Sequence, residues 1–446
     1  MKLKDYIPFY QRNLLIAIPV VLSQAGQVMV QLADNMMVGH VGTRELAAAS
    51  FGGSVFINGL IFGMGFSFGL TPLVGRAFGQ SKFREAANLF QNSIAINIIM
   101  GFILMAVMYG ISFFMDRMGQ PEDVVSLAIP YYRILVLSML PFLLFFSFKQ
   151  FAEGIGNTKV AMFITLAANL VNIILNYIFI FGKFGMPALG LEGAGYATLI
   201  SRIIMPLIFL YWFVNKTSFR RYFYFFDVRE FRRSVLMKLS KVSLPIGVQM
   251  LIEVLAFSLG AIMMGWLGEV PLAAHQIALS LASFTFMLAT GVASGTTIRV
   301  AHQFGSKRYQ DMRHAVFASL HMILVFMSFT ALSFVLFRNF LPQAFVSDPE
   351  VIKVAASLLI IAAIFQISDG LQVVALASLR GLADVKVPMY YAFLSYIVIS
   401  LPISYLFAFT LEMGPIGIWF GYVSGLSVAC VLFLTRFNRL SREMIG

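Results

Sequence analysis

The sequence predicts an all-α, polytopic membrane protein with twelve transmembrane helices, arranged as two parallel six-helix repeats around a central cleft. Three observations predict this class. The 446 residues are 59% hydrophobic and only 12% charged, with a mean hydropathy of +0.85, which ordinary soluble domains do not reach. Apolar segments of about 20 residues recur along the whole chain. The second half of the chain repeats the first.

The apolar segments are each long enough to cross a hydrocarbon core of about 30 Å as a helix. Backbone amides in lipid must find partners within the segment, so we interpret these runs as helices; membrane strands would be shorter and would alternate in polarity. The predicted spans are residues 14–38, 46–75, 88–114, 125–149, 160–181, 190–214, 242–267, 272–299, 315–337, 351–378, 387–410 and 415–435. The basic stretch before the first span leads into an apolar run too long for a signal peptide, so we expect it to be retained.

The net charge of +12 indicates an orientation rather than a nucleic-acid partner. With both termini placed in the cytoplasm, the inner segments carry a large excess of Lys and Arg over acids and the outer segments do not, as the positive-inside rule requires. The largest basic cluster is the central loop, residues 216–241. The only cysteine, Cys430, lies in the last span, where we expect it to be inert packing.

An internal duplication relates the two halves of the chain. An ungapped shift of 226 residues pairs Pro19 with Pro245, Gly39 with Gly265, Gly42 with Gly268, Leu46-Ala47-Ala48 with Leu272-Ala273-Ala274, Gly65 with Gly291, Gly69 with Gly295, and Phe78-Gly79 with Phe304-Gly305. A shift of 227 then pairs "EGIGNTKVAM" at 153–162 with "RGLADVKVPM" at 380–389.

Six spans in each copy give both copies the same orientation, since six is an even number of crossings. This predicts an N-terminal bundle at 1–214, a basic cytoplasmic linker at 215–241 and a C-terminal bundle at 242–446. Rocking of two such bundles exposes a central site to either side in turn, which favours a transporter. Duplication also builds channels and enzymes, so the repeat alone does not decide the function.

The first span carries a polar stripe in "SQAGQVMVQLADN". Gln24, Gln27, Gln31 and Asp34 fall within an arc of about 80° on one helix face. Such side chains face the protein interior or water rather than lipid. For the glutamines, hydrogen bonds that merely hold helices together are an equally good explanation. A carboxylate at depth costs about 3 kcal/mol, so for Asp34 a functional role is favoured.

Two further acids lie in the second half, near the middle of their spans: Glu253 in "QMLIEVLAFSLG" and Asp369 in "IFQISDGLQVVALASLRG". Each is preceded on the same helix face by an amide, Gln249 or Gln366. Two carboxylates in a low-dielectric cavity take up a proton or bind a cation, which is the physical basis of ion coupling.

The alternative for all three acids is a buried ion pair, and two basic residues within the predicted spans, Arg133 and Arg202, are the candidate partners. Arg133 lies near a span end and can instead extend its head group to the membrane surface.

Asparagines on the fifth span, Asn169, Asn172 and Asn176, share one helix face, and Thr198 lies on the sixth span. Their oxygens can complete a cation or proton network around Asp34, although hydrogen bonds between helices explain each of them equally well. The five histidines have no metal-ligand spacing, and no phosphate-binding loop or dinucleotide motif occurs, so the sequence predicts no cofactor and no ATP-driven pump.

The chain resembles the multidrug and toxic compound extrusion (MATE) transporters, most closely the NorM-like bacterial branch. The resemblance covers essentially the whole chain. It is carried by "LADNMMVGHVG", "GLEGAGYATLIS", "LAAHQIALS" and "LRGLADVKVPM" in a duplicated six-plus-six frame.

This resemblance implies a secondary antiporter of the bacterial cytoplasmic membrane, in which entering Na⁺ or H⁺ drives export of cationic, often aromatic compounds. It assigns Glu253 and Asp369 to a cation-coupling site and Asp34, Asn172, Asn176 and Thr198 to a second polar network. Position 176 is Asn where some relatives have Asp, which weakens a proton relay built on the N-terminal bundle alone. We expect a monomer in lipid, with no enzyme activity and no ATPase subunit.

Two rival functions are open to the sequence. A flippase for lipids or lipid-linked saccharides is expected to line its cleft with basic residues for phosphates, whereas the deep charges here are mostly acidic. A membrane enzyme requires a catalytic cluster, and the sequence presents none.

Overall fold

A computed structural model describes residues 6–445, apart from the side chain of Val228, and this part of the chain is helical with no strand. The main helices are α1 (Ile7–Gly39), α2 (Thr43–Ser67), α3 (Leu70–Gly79), α4 (Phe83–Ile111), α5 (Glu122–Leu137), α6 (Met139–Gly154), α7 (Thr158–Phe181), α8 (Gly190–Asn215), α9 (Thr217–Phe223), α10 (Arg233–Trp266), α11 (Glu269–Gly305), α12 (Tyr309–Leu336), α13 (Pro349–Gly381), α14 (Lys386–Ala392), α15 (Leu401–Tyr405) and α16 (Pro415–Glu443). Short 3₁₀ turns occupy Met115–Arg117, Val228–Glu230 and Leu341–Ala344. The first five residues, including the basic positions 2 and 4, lie outside the described residues.

Twelve segments of this part of the chain are long and apolar enough to cross a membrane, which confirms the predicted all-α class and the number of spans. Three of the twelve are interrupted. The second is interrupted at Phe68–Gly69, between α2 and α3, and the fourth at Ser138, between α5 and α6. The eleventh contains two π-helical stretches, Phe393–Ser400 and Leu406–Thr410.

Several helices extend beyond their predicted spans, and two of these extensions carry residues that matter below. Helix α10 begins at Arg233, inside the segment predicted as linker, and α13 continues to Gly381 rather than residue 378. Both extensions contain charged residues, and a hydropathy pattern marks only the apolar part of a helix. Residues such as Lys238 and Arg380 therefore lie within regular helix.

The chain forms two compact units. One contains Leu22–Gly247, and the other contains the described residues up to Val21 together with Val248 onward. The first half of α1 therefore packs with the C-terminal helices, where the Asn13 amide donates to the Ala315 carbonyl at 2.8 Å and to Ser319 Oγ at 2.9 Å. At this half-helix and at the start of α10, a segment packs with the helices of the other half of the chain.

The internal duplication is reproduced in three-dimensional detail within the two units. Thr71 Oγ1 donates to the Gln150 carbonyl at 3.1 Å, and Thr297 Oγ1 donates to the Ala377 carbonyl at 3.0 Å. These two hydrogen bonds occupy positions related by the shifts of 226 and 227 residues. The shared sequence pattern therefore specifies the same helix contact twice.

Glycines make that contact possible. A Cβ on Gly154 would lie 2.9 Å from Val74 Cγ1, and a Cβ on Gly381 would lie 2.6 Å from Val300 Cβ. The two glycines are partners in the repeat, as are the two valines. Since an ordinary Cβ does not fit at these distances, α3 packs on α6 and α11 packs on α13 only because both positions are glycine.

We predict that Gly381→Ala destabilises the protein by about 1–3 kcal/mol, because the new methyl group meets Val300 and the backbone oxygen of Thr297, which cannot rotate away. The measurement is thermal unfolding of the purified protein in detergent. Gly53→Ala is the matched control, since no neighbouring atom lies within 4 Å of its Cβ position. Equal stability of the two variants would contradict the packing argument.

Candidate functional site

Two acids of the C-terminal half lie deep in long helices of one unit. Glu253 is on α10 and Asp369 is on α13, each about 20 residues, or about 30 Å, from the first residue of its helix. Asp369 is buried and Glu253 is partly buried. Glu253 lies close enough to Asp369 for its charge to act on that carboxylate, and both acids act on Tyr396. The structure therefore brings together the two acids that the sequence singled out in this half.

Gln249 connects Glu253 to an arginine that the sequence analysis did not single out. Gln249 Nε2 donates to Glu253 Oε2 at 3.1 Å, as expected for residues one turn apart on α10. Its other amide atom, Oε1, accepts a hydrogen bond from Arg380 near the end of α13. The amide thus lies between a carboxylate and a guanidinium.

No basic nitrogen lies within 4.0 Å of Glu253 or Asp369 in the part of the chain that the structure describes. Nearby polar atoms also lack protein partners there, namely Tyr396 Oη and Arg380 Nε. Buried polar atoms in proteins are nearly always hydrogen-bonded, to protein or to water. Tyr396 Oη can therefore accept a bond from water or contact a small cation, whereas Arg380 Nε can only donate, for example to water.

Gln366 does not bond to Asp369, although the two lie on one helix face. Its Oε1 accepts from Thr285 Oγ1 at 2.7 Å, which links α13 to α11. A sequence pattern cannot show the Thr285–Gln366 contact, because the two residues are 81 positions apart.

In the other unit, Asp34 lies five residues before the end of α1 and is bonded to the asparagine face of α7. Asn176 Nδ2 donates to Asp34 Oδ1 and also to Asn172 Oδ1, the second at 3.2 Å. Two turns earlier on α1, Gly26 lies against the same helix, since a Cβ there would lie 2.5 Å from Leu166 Cδ2 and 3.2 Å from Asn169 Nδ2. The structure therefore joins Asp34, Asn172 and Asn176.

The remaining residues of the predicted N-terminal network are more dispersed. Gln24 and Gln27 are partly buried, Gln31 is exposed, and Thr198 on α8 is partly buried. Within residues 6–445, neither Gln27, Gln31 nor Thr198 makes a hydrogen bond to Asp34.

The two arginines considered as ion-pair partners are both satisfied by other groups. Arg202 Nη1 donates to Ser138 Oγ at 2.7 Å, and its guanidinium lies 4.6 Å from the centre of the Phe142 ring. Arg133 Nε donates to Ser112 Oγ at 3.1 Å. Hydroxyl groups and aromatic faces thus stabilise these charges. The buried ion pair considered for the three acids is not formed with either arginine.

A buried ion pair does occur, between residues that the sequence analysis left aside. Lys149 Nζ lies 3.9 Å from Glu153 Oε1 on α6, with side chains only 7% and 5% exposed. Glu153 is the repeat partner of Arg380. The alignment of the two halves pairs this acid with this base. That difference in charge is the sequence feature by which Glu153 and Arg380 could have been singled out.

A protein-ligated transition-metal site is not indicated: no group of three or more His, Cys, Asp or Glu side chains that could hold a metal ion occurs among residues 6–445.

Comparison with known proteins places this geometry in a family. The MatE family model matches residues 19–178 and 245–406, one segment in each half of the chain. The chain belongs to the MatE family. A probable multidrug resistance protein NorM of Mannheimia succiniciproducens is 33% identical over 96% of this chain and 94% of its own length. The multidrug resistance protein MdtK of Photorhabdus laumondii is 30% identical over 99% of this chain and 98% of its own.

Solved structures of MATE proteins share the fold. An outward-facing multidrug resistance MATE family transporter of the MOP superfamily superimposes with a TM-score of 0.88 at 22% identity, covering 98% of this chain and 96% of that one. The eukaryotic MATE transporter AtDTX14 gives 0.86 at 19% identity, with coverage of 99% and 100%. This MatE chain is therefore a multi-pass membrane protein of a multidrug efflux transporter family.

We predict that Lys149→Met destabilises this MatE protein by about 3–5 kcal/mol, because it leaves the Glu153 carboxylate buried without its partner. The double variant Lys149→Met/Glu153→Gln should recover most of this loss. Thermal unfolding in detergent of both single variants and the double variant measures the coupling. Additive effects of the two changes would show that the pair does not interact.

Proposed function

We propose that this MatE protein is a secondary active multidrug efflux transporter that exports cationic, aromatic compounds in exchange for Na⁺ or H⁺ by alternating access. The observation that carries the proposal is the pair Glu253 and Asp369. Each lies about 30 Å along its helix, and neither has a basic nitrogen within 4.0 Å in the described chain. Acids placed so deep are functional by default, since simple packing does not require their charge.

In this proposal the two carboxylates bind the coupling ion. Two acids close enough to repel each other are stabilised when a cation or a proton joins them. Gln249 holds the Glu253 carboxylate through the 3.1 Å hydrogen bond, which restricts the orientation of that side chain. Tyr396 presents a hydroxyl group to the same cluster and is buried. Ion binding from outside lowers the negative charge of the unit and favours release of a cationic cargo.

The second polar network, around Asp34, supports transport from the other unit. Asp34 is bonded by an amide and not by an ammonium or guanidinium, so its charge remains available to a cation. Asn172 and Asn176 supply further amide oxygens, which are good ligands for hard monovalent ions. We propose that this network takes part in binding cation or cargo during the cycle.

The remaining parts of the proposal concern partners and place. The substrates are small cationic drugs and other xenobiotics, the coupling ion replaces any cofactor, and the protein works as a monomer without an ATPase subunit. We place it in the bacterial inner membrane with both termini in the cytoplasm, on the basis of its basic inner loops and of relatives from Mannheimia succiniciproducens and Photorhabdus laumondii.

We predict that Glu253→Gln and Asp369→Asn each abolish ion-driven export of ethidium, because a neutral amide cannot attract the coupling ion. Efflux is followed in proteoliposomes with Na⁺ and pH gradients imposed separately. Glu443→Gln is the matched control, since Glu443 is 56% exposed at the end of α16 and pairs with the exposed Arg439. Undiminished efflux by both acid variants would remove these residues from the mechanism.

Asp34→Asn should slow ethidium export by about tenfold or more, since it removes the only charge of the asparagine-lined network. Initial efflux rates in the same vesicles measure this. Asp123→Asn serves as the control in the same unit, because Asp123 is an exposed acid whose partner is Arg44. A rate equal to that of the control would restrict coupling to Glu253 and Asp369.

A further inference from the structure

Arg380 occupies an unusual place for a charged residue. It is the second-last residue of α13, yet its guanidinium is directed to Gln249, 16 residues into α10. An arginine at a helix end normally extends to the membrane surface, where lipid head groups and water solvate it. Here the side chain is partly buried, its Nε has no partner in the described chain, and one terminal nitrogen bonds to an amide.

The amide also bonds to Glu253, so Arg380 and Glu253 are neighbours across a single side chain. Their charges attract each other, and the Tyr396 side chain lies within range of both. They nevertheless form no direct ion pair within 4.0 Å in residues 6–445. The arginine thus compensates the acid electrostatically without covering the carboxylate oxygens.

The repeat shows that this charge is not required by the scaffold. The same position in the other unit is Glu153, and the surrounding contacts are alike in both units: Gly154 on Val74 and Gly381 on Val300. The helix contact accepts an acid in one copy and a base in the other. The sign of the charge at position 380 therefore follows from what lies beside it, which is Glu253, reached through Gln249.

We infer that Arg380 is the internal counter-cation of the Glu253–Asp369 site, acting through Gln249, and that it sets the site to accept one monovalent cation. The count is simple: two carboxylates and one guanidinium leave one net negative charge. A buried net charge is unfavourable, and one proton or one Na⁺ neutralises it. Without the arginine the site carries two negative charges and holds its ion more tightly. Arg380 is thus a positioning residue that keeps the coupling ion releasable. This inference rests on the proposed ion coupling.

The test uses the full chain in proteoliposomes with ethidium as cargo. The external concentration of the driving ion, Na⁺ or H⁺, is varied, and the concentration that gives half-maximal efflux is determined. For Arg380→Gln we expect this concentration to fall by about tenfold or more, since one opposing unit charge nearby is removed. Maximal efflux should fall as well, because the ion leaves slowly. Arg380→Lys keeps the charge and should stay within about twofold of the unaltered protein.

Arg439→Gln is the matched control, since it removes one positive charge from an exposed position of the same unit and should shift nothing. An unchanged half-maximal concentration in Arg380→Gln, or an equal shift in Arg380→Lys, overturns the inference while the proposed function stands. If neither gradient drives efflux by the unaltered protein, the proposed function fails and this inference fails with it.

A second variant covers the case in which Arg380→Gln does not fold. In Glu253→Gln/Arg380→Gln the two removed charges cancel, and Asp369 alone restores one net negative charge. We expect this double variant to regain part of the ion response that Glu253→Gln alone has lost. No recovery in a double variant that is correctly inserted overturns the charge assignment.

Discussion

The solvation of charge in an apolar medium is the constraint on which this structure depends. An ionised side chain away from water needs a compensating partner, and the two units supply different ones. In one unit Lys149 pairs with Glu153, and Arg202 is stabilised by a hydroxyl group and aromatic rings. In the other, Glu253 is linked to Arg380 only through the Gln249 amide, and Asp369 has no basic nitrogen within 4.0 Å in the described chain. The Lys149–Glu153 pair is balanced, whereas Glu253, Asp369 and Arg380 together retain one negative charge.

That difference rests on a scaffold that is nearly the same in both units. The hydrogen bonds of Thr71 and Thr297 and the close contacts of Gly154 and Gly381 hold equivalent helix pairs at equivalent distances. Such contacts depend on small side chains and backbone groups, so they tolerate changes one position away. The Glu153 and Arg380 positions adjoin these glycines. A charge can therefore be inverted there without disturbing the contact beside it.

The sequence predicts the features that arise from local pattern. Apolar runs locate the twelve spans, and the polar stripe ending at Asp34 indicates a side chain that needs polar neighbours, because helical periodicity is a local property. A local pattern does not show which of the distant side chains a residue contacts. Gln366 bonds to Thr285 rather than to the acid beside it, and Arg202 bonds to Ser138 rather than to a carboxylate. Arg380 was missed because hydropathy ends the span at 378, while the helix continues.

The internal repeat gives information on such distant contacts from the one sequence. Positions that packing requires keep the same residue in both copies. Positions with a role in only one unit differ between the copies. Glycine at 154 and 381 belongs to the first kind; Glu153 and Arg380, or Gln27 and Glu253, belong to the second. In this chain the positions that differ in charge between the copies include a member of the acid cluster and the arginine tethered to it. Divergence in charge on a common helix frame thus marks the part of a duplicated membrane protein in which the asymmetric chemistry is placed.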